Sequence, residues 1–292
     1  MAIFLAPWAL LGVAAMWGIS FVWMKDILDK QDVYSFLTSR FIVASLVMLI
    51  LRPKVIKHFN RELITKGLLI GIALGSGYIF QTLGLDRTTP ALTGFITGLY
   101  VVLTPVISFF LFREHLSKEA WLYVALATAG LGVLSLKGFS IGLGEMLVLI
   151  SALLFAVHII LLSRWSKGLD AYALTVMQLI GCSLLSLVPT SLHGFTAPPD
   201  RQVWAVIFFT AIFATAIAFV IQTWSQARIS ATKVAVILTM EVVFAALFSV
   251  ALGRESMTLR LGIGGAMVLV AMVAIVQPRL HQEPQSHGSM GS

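Results

Sequence analysis

The sequence predicts an all-α integral membrane protein: ten transmembrane helices, arranged as two inverted-topology five-helix repeats around a central cavity. Composition is the first observation behind that fold class. Of 292 residues, 59% are hydrophobic and only 11% are charged, with a mean hydropathy of +0.95. A soluble domain carries about 25% charged residues, so this chain has too little polar surface to cover itself in water. The second observation is a repeat. The stretch Gln81 to Glu114 meets Gln222 to Glu255 without a gap when shifted by 141 positions. Gln81-Thr82 then falls on Gln222-Thr223, Arg87 on Arg228, Val101-Val102 on Val242-Val243, and Arg113-Glu114 on Arg254-Glu255. Polar residues that match inside apolar surroundings are not explained by shared hydrophobicity, and internal repeats define whole architectures. The third observation is the pattern of apolar runs.

A bilayer core of about 30 Å needs roughly 20 apolar residues in a helix. Runs of that kind occupy 7–24, 34–51, 67–85, 91–112, 119–136, 143–163, 171–192, 202–226, 231–252 and 258–276. The first lacks the basic flank and small-residue cleavage site of a signal peptide and is expected to remain as a helix. The longest connection between runs, 52–66, carries Arg52, Lys54, Lys57, Arg61 and Lys66. Placing it and both termini in the cytoplasm puts twelve of the 20 Lys and Arg on that side and seven on the other, in line with the positive-inside rule. The same bias accounts for the net charge of +7 and pI near 9.8 without nucleic acid. The single cysteine, Cys182, excludes an intrachain disulfide.

Five helices per half is an odd number, so the second half enters the membrane from the opposite side. The expected units are residues 1–138 and 139–278, with 279–292 a disordered tail or an expression remnant. Inverted repeats are typical of transporters, whose substrate sites lie near the midplane where the halves meet. A static scaffold is the alternative use of the same duplication.

Several stretches resemble the drug/metabolite transporter superfamily, specifically its ten-helix EamA-type exporters. Trp17-Gly18, Phe21 and Lys25 follow its W-G-x-x-F-x-x-x-K pattern, and Arg40 stands near the start of helix 2 as in many members. Thr88-Thr89-Pro90-Ala91, Phe95, Leu99, Pro105, Arg113-Glu114 and Leu116-Ser117 continue the likeness. Glu241 to Leu247 is similar to a frequent E-P-V-F-A-A-L, with Val242 in place of the proline, so no helix break is expected there. The resemblance spans 7–278 and implies metabolite export. By overall likeness the chain is most similar to exporters of aromatic and other neutral amino acids.

Glu241 is the first candidate site residue. An ionised side chain at mid-membrane costs at least about 2.5 kcal/mol and usually marks a substrate or proton pathway. It is expected to bind a substrate ammonium or to exchange a proton. The alternative is a protonated, structural group bonded to a hydroxyl such as that of Thr239. Its partner by the repeat is Tyr100. Gln81 and Gln222 are expected at related gates, or as interhelical hydrogen bonds. His158 falls opposite Ser20 when Trp17 is aligned with Phe155, and a histidine there would suit proton coupling or simply pack. Trp17, Tyr78 and Tyr100 would supply an aromatic lining, while Trp8, Trp23, Trp121 and Trp204 near helix ends read as an interfacial belt.

Arg40 is expected to snorkel outward or to pair with Asp26, Asp29 or Asp32, with a carboxylate grip the less favoured role. Arg113-Glu114 and Arg254-Glu255 read as boundary and capping pairs. Gly71-x-x-x-Gly75 and Gly94-x-x-x-Gly98 match the small-xxx-small packing pattern. Gly94, Gly98 and Pro105 are candidate moving or kink positions. Gly138 to Gly142 matches G-x-S-x-G, but without the strand–turn–helix context that motif needs. No metal-ligand cluster or P-loop is present, so no metal or other cofactor and no enzyme activity is expected.

The reading is therefore an exporter of small metabolites, above all neutral and aromatic amino acids, working by alternating access in the cell inner membrane. Its partners would be those solutes and the lipid bilayer, with protons added if transport is a proton-coupled antiport and not a facilitated uniport. Efflux of cationic drugs is one alternative, and a non-transporting membrane enzyme or receptor is another.

Overall fold

The computed structural model describes residues 2–88, 90–113, 117–135, 142–253 and 256–276, and among them every regular element is helical. In order they are α1 (Ala2–Lys25), α2 (Val33–Leu51), a 3₁₀ turn (Pro53–His58), α3 (Arg61–Arg87), α4 (Pro90–Gly98), α5 (Tyr100–Phe112) and α6 (Lys118–Ser135). There follow α7 (Leu143–Trp165), α8 (Ala171–His193), α9 (Arg201–Ala211), a π-helical segment (Ile212–Ile217), α10 (Ala218–Gln226), α11 (Ala231–Leu238), α12 (Met240–Ala251) and α13 (Leu259–Val276). Eight helical stretches among the described residues are long and apolar enough to cross a membrane. The apolar part of α13, Leu259–Ile275, is shorter, and α6 opens on Lys118 and Glu119. These two stand where the tenth and fifth expected spans fall.

Helix starts follow from short polar side chains in the loops. Asp32, Asn60, Asp170 and Asp200 cap α2, α3, α8 and α9, accepting from the N–H of Ser35, Leu63, Ala173 and Val203 at 2.8 to 2.9 Å. The Asn60 cap, with the Glu62–Lys66 pair one turn later, starts α3 earlier than expected and makes the basic loop 52–66 half helical. Asp170 also takes two contacts of 3.1 Å from Arg52, tying α8 to the end of α2. Burial alone would raise the Asp170 carboxyl, but the Ala173 N–H and Arg52 hold it below the ordinary carboxylate range.

Asp170→Ala is accordingly expected to lower the melting temperature in detergent, by the loss of about 1 kcal/mol of capping and up to about 1 kcal/mol of ion pair. A carboxyl depressed in the folded state stabilises fully at neutral pH and loses that contribution as pH falls through its folded value. The gap between wild type and variant should therefore narrow from pH 7 toward pH 3. A gap that stays constant would mean the charge on Asp170 contributes nothing.

Packing puts α3 against α7 and α8, α2 against α8, α1 against α12, and α6 against α13. The buried apolar residues form two large clusters. One gathers α1, α4, α5, α11 and α12; the other gathers α2, α3, α8, α9 and the far half of α1. Trp17 and Phe155 pack against both. Large apolar side chains such as Ile50, Phe110 and Leu192 are three-quarters exposed, which suits contact with lipid. Trp8, Trp121 and Trp204 are likewise exposed, whereas Trp23 sits edge-on to Phe209 at 4.6 Å.

Two expected continuous helices are interrupted. The fourth breaks at Leu99, where Val102 N–H bonds back only three residues, and not at Pro105, which lies inside α5. The ninth breaks at Thr239, where Val242 N–H makes the same tight bond. No proline is needed there: the Thr239 hydroxyl donates to the Val236 carbonyl at 2.6 Å and competes with the helix ladder. The eighth expected helix carries the π-helical segment, which nothing in its residue pattern announced.

Of the two glycine patterns, Gly71 and Gly75 lie directly on the backbone of α8 at Gln178 and Cys182. Gly94 faces the Val242 side chain and Gly98 that of Leu131, so no backbone approach occurs there. Arg113 ends α5 in the left-handed region (φ 55°), with its N–H on the Phe109 and Ser108 carbonyls, as a cap should. Glu114, Arg254, Glu255, Thr89, the residues 138–141 of G-x-S-x-G and the tail 279–292 lie outside the described residues.

Candidate functional site

A small cavity, with about 50 Å³ open to the centres of water-sized spheres, lies where the two apolar clusters meet. The structure brings Trp17, Tyr78, Gln81, Tyr100, His158, Gln222 and Glu241 together in its wall. They come from α1, α3, α5, α7, α10 and α12.

The apolar floor is aromatic. Tyr78 stands edge-on to Phe41 at 5.5 Å, Phe155 at 5.4 Å and Phe219 at 6.2 Å. Trp17 tilts onto Phe219 at 5.5 Å and donates its indole N–H to the Ala214 carbonyl at 2.8 Å. The neighbour of Trp17 explains its placement. A Cβ at Gly18 would come within 2.7 Å of Ala245 N and 2.8 Å of Glu241 O, so only glycine lets α1 lie on the backbone of α12. Trp17-Gly18 is thus one aromatic facing the cavity beside one gap that seats its helix.

The polar groups are held from several elements. Gln81 Nε2 donates to Thr97 Oγ1 at 3.1 Å, joining α3 to α4. Gln222 Nε2 donates to Gln226 Oε1 at 2.8 Å, and its own Oε1 has no partner among the described residues. His158 Nε2 donates to Gln178 Oε1 at 3.1 Å, and its ring meets Phe219 edge-on. Glu241, 4% exposed, receives the Tyr100 hydroxyl at a long 3.4 Å. The Thr239 hydroxyl is committed to Val236 and is not the partner expected for this carboxyl.

The repeat now acquires a geometric meaning. Tyr100 and Glu241, related by the 141-residue shift, touch each other. Trp17 and Phe155, Ser20 and His158, and Gln81 and Gln222 are pairs drawn from the two halves, and all of them line this one cavity.

Arg40 corrects the sequence expectation. It neither snorkels outward nor pairs with Asp26, Asp29 or Asp32; it is 1% exposed and lines the cavity. Asp32 instead caps its own helix. The Arg40 guanidinium lies 4.7 Å over the Tyr78 ring, and its Nε donates to Thr215 Oγ1 at 2.7 Å. The fold reverses the sequence reading because the π-helical segment sets Ala214 and Thr215 against α2. Phe155 and Phe219 were also missed as lining residues. Phe155 was legible through its alignment with Trp17; Phe219, one of many phenylalanines in apolar runs, carried no signal.

The chain matches the model of the EamA-like transporter family twice, over residues 4–136 and 142–277. An uncharacterized transporter of Archaeoglobus fulgidus is 36% identical over 265 residues, covering 90% of this chain and 83% of that protein. An uncharacterized transporter of Synechocystis is 24% identical over 286 residues, covering 90% and 87%. A solved structure described only as a crystal structure of a protein superimposes with a TM-score of 0.77 at 17% identity, covering 94% of this chain and 95% of its own, a likeness of fold. Apolar helices packed around a polar and aromatic cavity, with transporter relatives along nearly the whole chain, define a multi-pass membrane transporter of a small molecule. The chain belongs to the EamA-like transporter family.

Proposed function

We propose that the protein exports neutral amino acids, aromatic ones included, across the cell inner membrane by alternating access. The carrying observation is the convergence of paired residues from both halves on one cavity lined by both aromatic and polar side chains. An amino acid needs such a cavity: apolar surface for its side chain, acceptors and donors for its charged ends. Trp17 and Tyr78 would take the side chain, with Tyr100 beside them. Gln81, Gln222 and Glu241 would serve the polar end, and His158 or Glu241 would carry a coupling proton.

On this reading ten spans form two inverted five-helix units with both termini cytoplasmic. The contact of Tyr100 with Glu241 supports the inversion, because residues on a pseudo-two-fold axis meet their own counterparts. So does the packing of α2 on α8 and α6 on α13. The breaks at Leu99 and Thr239, together with Gly94, Gly98 and Pro105, would let α4–α5 and α11–α12 flex as the cavity opens to either face. Export of cationic drugs is the second reading, favoured by the position of Glu241 in the cavity wall without an ion-pair partner among the described residues.

Counterflow in proteoliposomes tests the proposal. With unlabelled phenylalanine inside, labelled phenylalanine outside should enter saturably and be competed by methionine or threonine. No entry of phenylalanine, with matched vesicles active on a cationic dye, would replace this reading by the second.

A further inference from the structure

We propose that Arg40 is the carboxylate anchor of the cavity, so that this carrier takes only solutes bearing a carboxylate. The inference rests on the amino-acid reading above and assigns the carboxylate end of the substrate to one residue.

Arg40 is a buried cation held only by neutral groups. Nε makes the one short contact, to Thr215 Oγ1 at 2.7 Å. The outer fork is poorly served: Nη1 meets the Met24 sulfur at 3.6 Å, and Nη2 reaches Tyr78 Oη at 3.4 Å and the Ala214 carbonyl at 3.3 Å. None of the ion pairs among the described residues includes it, and Glu241, the acidic group in the same wall, faces Tyr100 instead. A buried guanidinium without a counter-ion is strongly disfavoured, and membrane proteins keep such groups where they meet substrate. The geometry says which atoms are available. Thr215 fixes the Nε edge and Tyr78 supports the face, while the Nη1 and Nη2 donors face the weakest acceptors. That pair is the one that binds a carboxylate through two parallel hydrogen bonds.

The π-helical segment builds this arrangement. Its wider turn leaves the Ala214 carbonyl to accept from both Trp17 and Arg40, and it presents the Thr215 hydroxyl beside it. Single π turns inside α-helices recur at functional sites. An amino acid would thus lie with its carboxylate at Arg40, its side chain toward Trp17 and Phe219, and its ammonium toward Glu241.

The test is ligand-induced thermal shift of the purified wild-type protein, using phenylalanine, 3-phenylpropionate and phenethylamine as probes. The two carboxylates should stabilise it, with phenethylamine weaker by about 10- to 100-fold, the range of hydrogen bonds to a charged group. In Arg40→Gln the difference between acid and amine should vanish, and in Arg40→Lys it should shrink. Equal effects of phenylalanine and phenethylamine on wild type would overturn the assignment while leaving an amino-acid carrier in place. Stabilisation by 3-phenylpropionate without phenylalanine would do the reverse, keeping Arg40 and ending the amino-acid reading. No shift with either carboxylate overturns the proposal outright. Because the ladder of probes is read on wild type, the outcome does not depend on the variants folding.

Discussion

Gly71→Val is expected to yield little or no monodisperse protein from detergent. A Cβ at this position would stand 2.3 Å from the Gln178 carbonyl oxygen and 2.9 Å from its carbonyl carbon. Both are backbone atoms of α8, so no rotamer change relieves the clash and the helices must separate. The same spot is pinned from the other side: Gly181 lies on Gly71, and Cys182 Sγ donates to the Gly71 carbonyl at 3.2 Å. Separation would open the cluster that carries Leu74, Tyr78 and Leu179. Overpacking costs about 1–3 kcal/mol where side chains yield and more where the backbone must move. Gly71→Ala should therefore melt several degrees lower than wild type, and Gly71→Val should fail. Gly12→Ala is the control, since a Cβ there meets nothing within 4 Å. Equal melting of the Gly71 and Gly12 alanine variants would refute the close approach of α3 and α8.

Glu241→Gln is expected to reduce phenylalanine counterflow by about 10- to 100-fold, the range of a lost hydrogen bond to a charged group, while the protein melts at or above the wild-type temperature. The amide keeps the shape and still accepts from Tyr100, and it removes the cost of a charge at membrane depth. Stability and activity should thus move in opposite directions, which a structural carboxyl would not produce. Two transport modes separate its possible duties. An ammonium ligand is needed for exchange and for net export alike, so both should fall. A proton carrier is needed only for export driven by a pH gradient, so counterflow that survives while export is lost would assign Glu241 the proton and not the ammonium. Normal transport in both modes, with unchanged pH dependence, would remove Glu241 from the mechanism.

How much of this was legible from the residues can be argued from particular positions. The matched Gln81/Gln222 and Tyr100/Glu241 positions pointed to the cavity because a polar group in an apolar run has few inexpensive places to be. Those residues do line one cavity. Trp17-Gly18 was visible as a pattern, but its reason, the seating of α1 on the backbone of α12, was not. Arg40 was misread because local arithmetic favoured the nearby aspartates of the first loop. Asp32 was already occupied in starting α2, and Thr215, which takes the shortest bond from Arg40, lies 175 residues away.

Taken by itself, the sequence determined the membrane class, the approximate place of the apolar helices, the duplication and seven of the residues that line the candidate cavity. Each of these follows from where apolar and polar residues fall along the chain, a quantity carried locally. The tertiary structure alone decided the direction of Arg40, its contacts with the π-helical segment and the backbone contact of Gly71 with α8. These depend on which carbonyl or hydroxyl a distant helix presents, and a one-dimensional pattern holds no record of that.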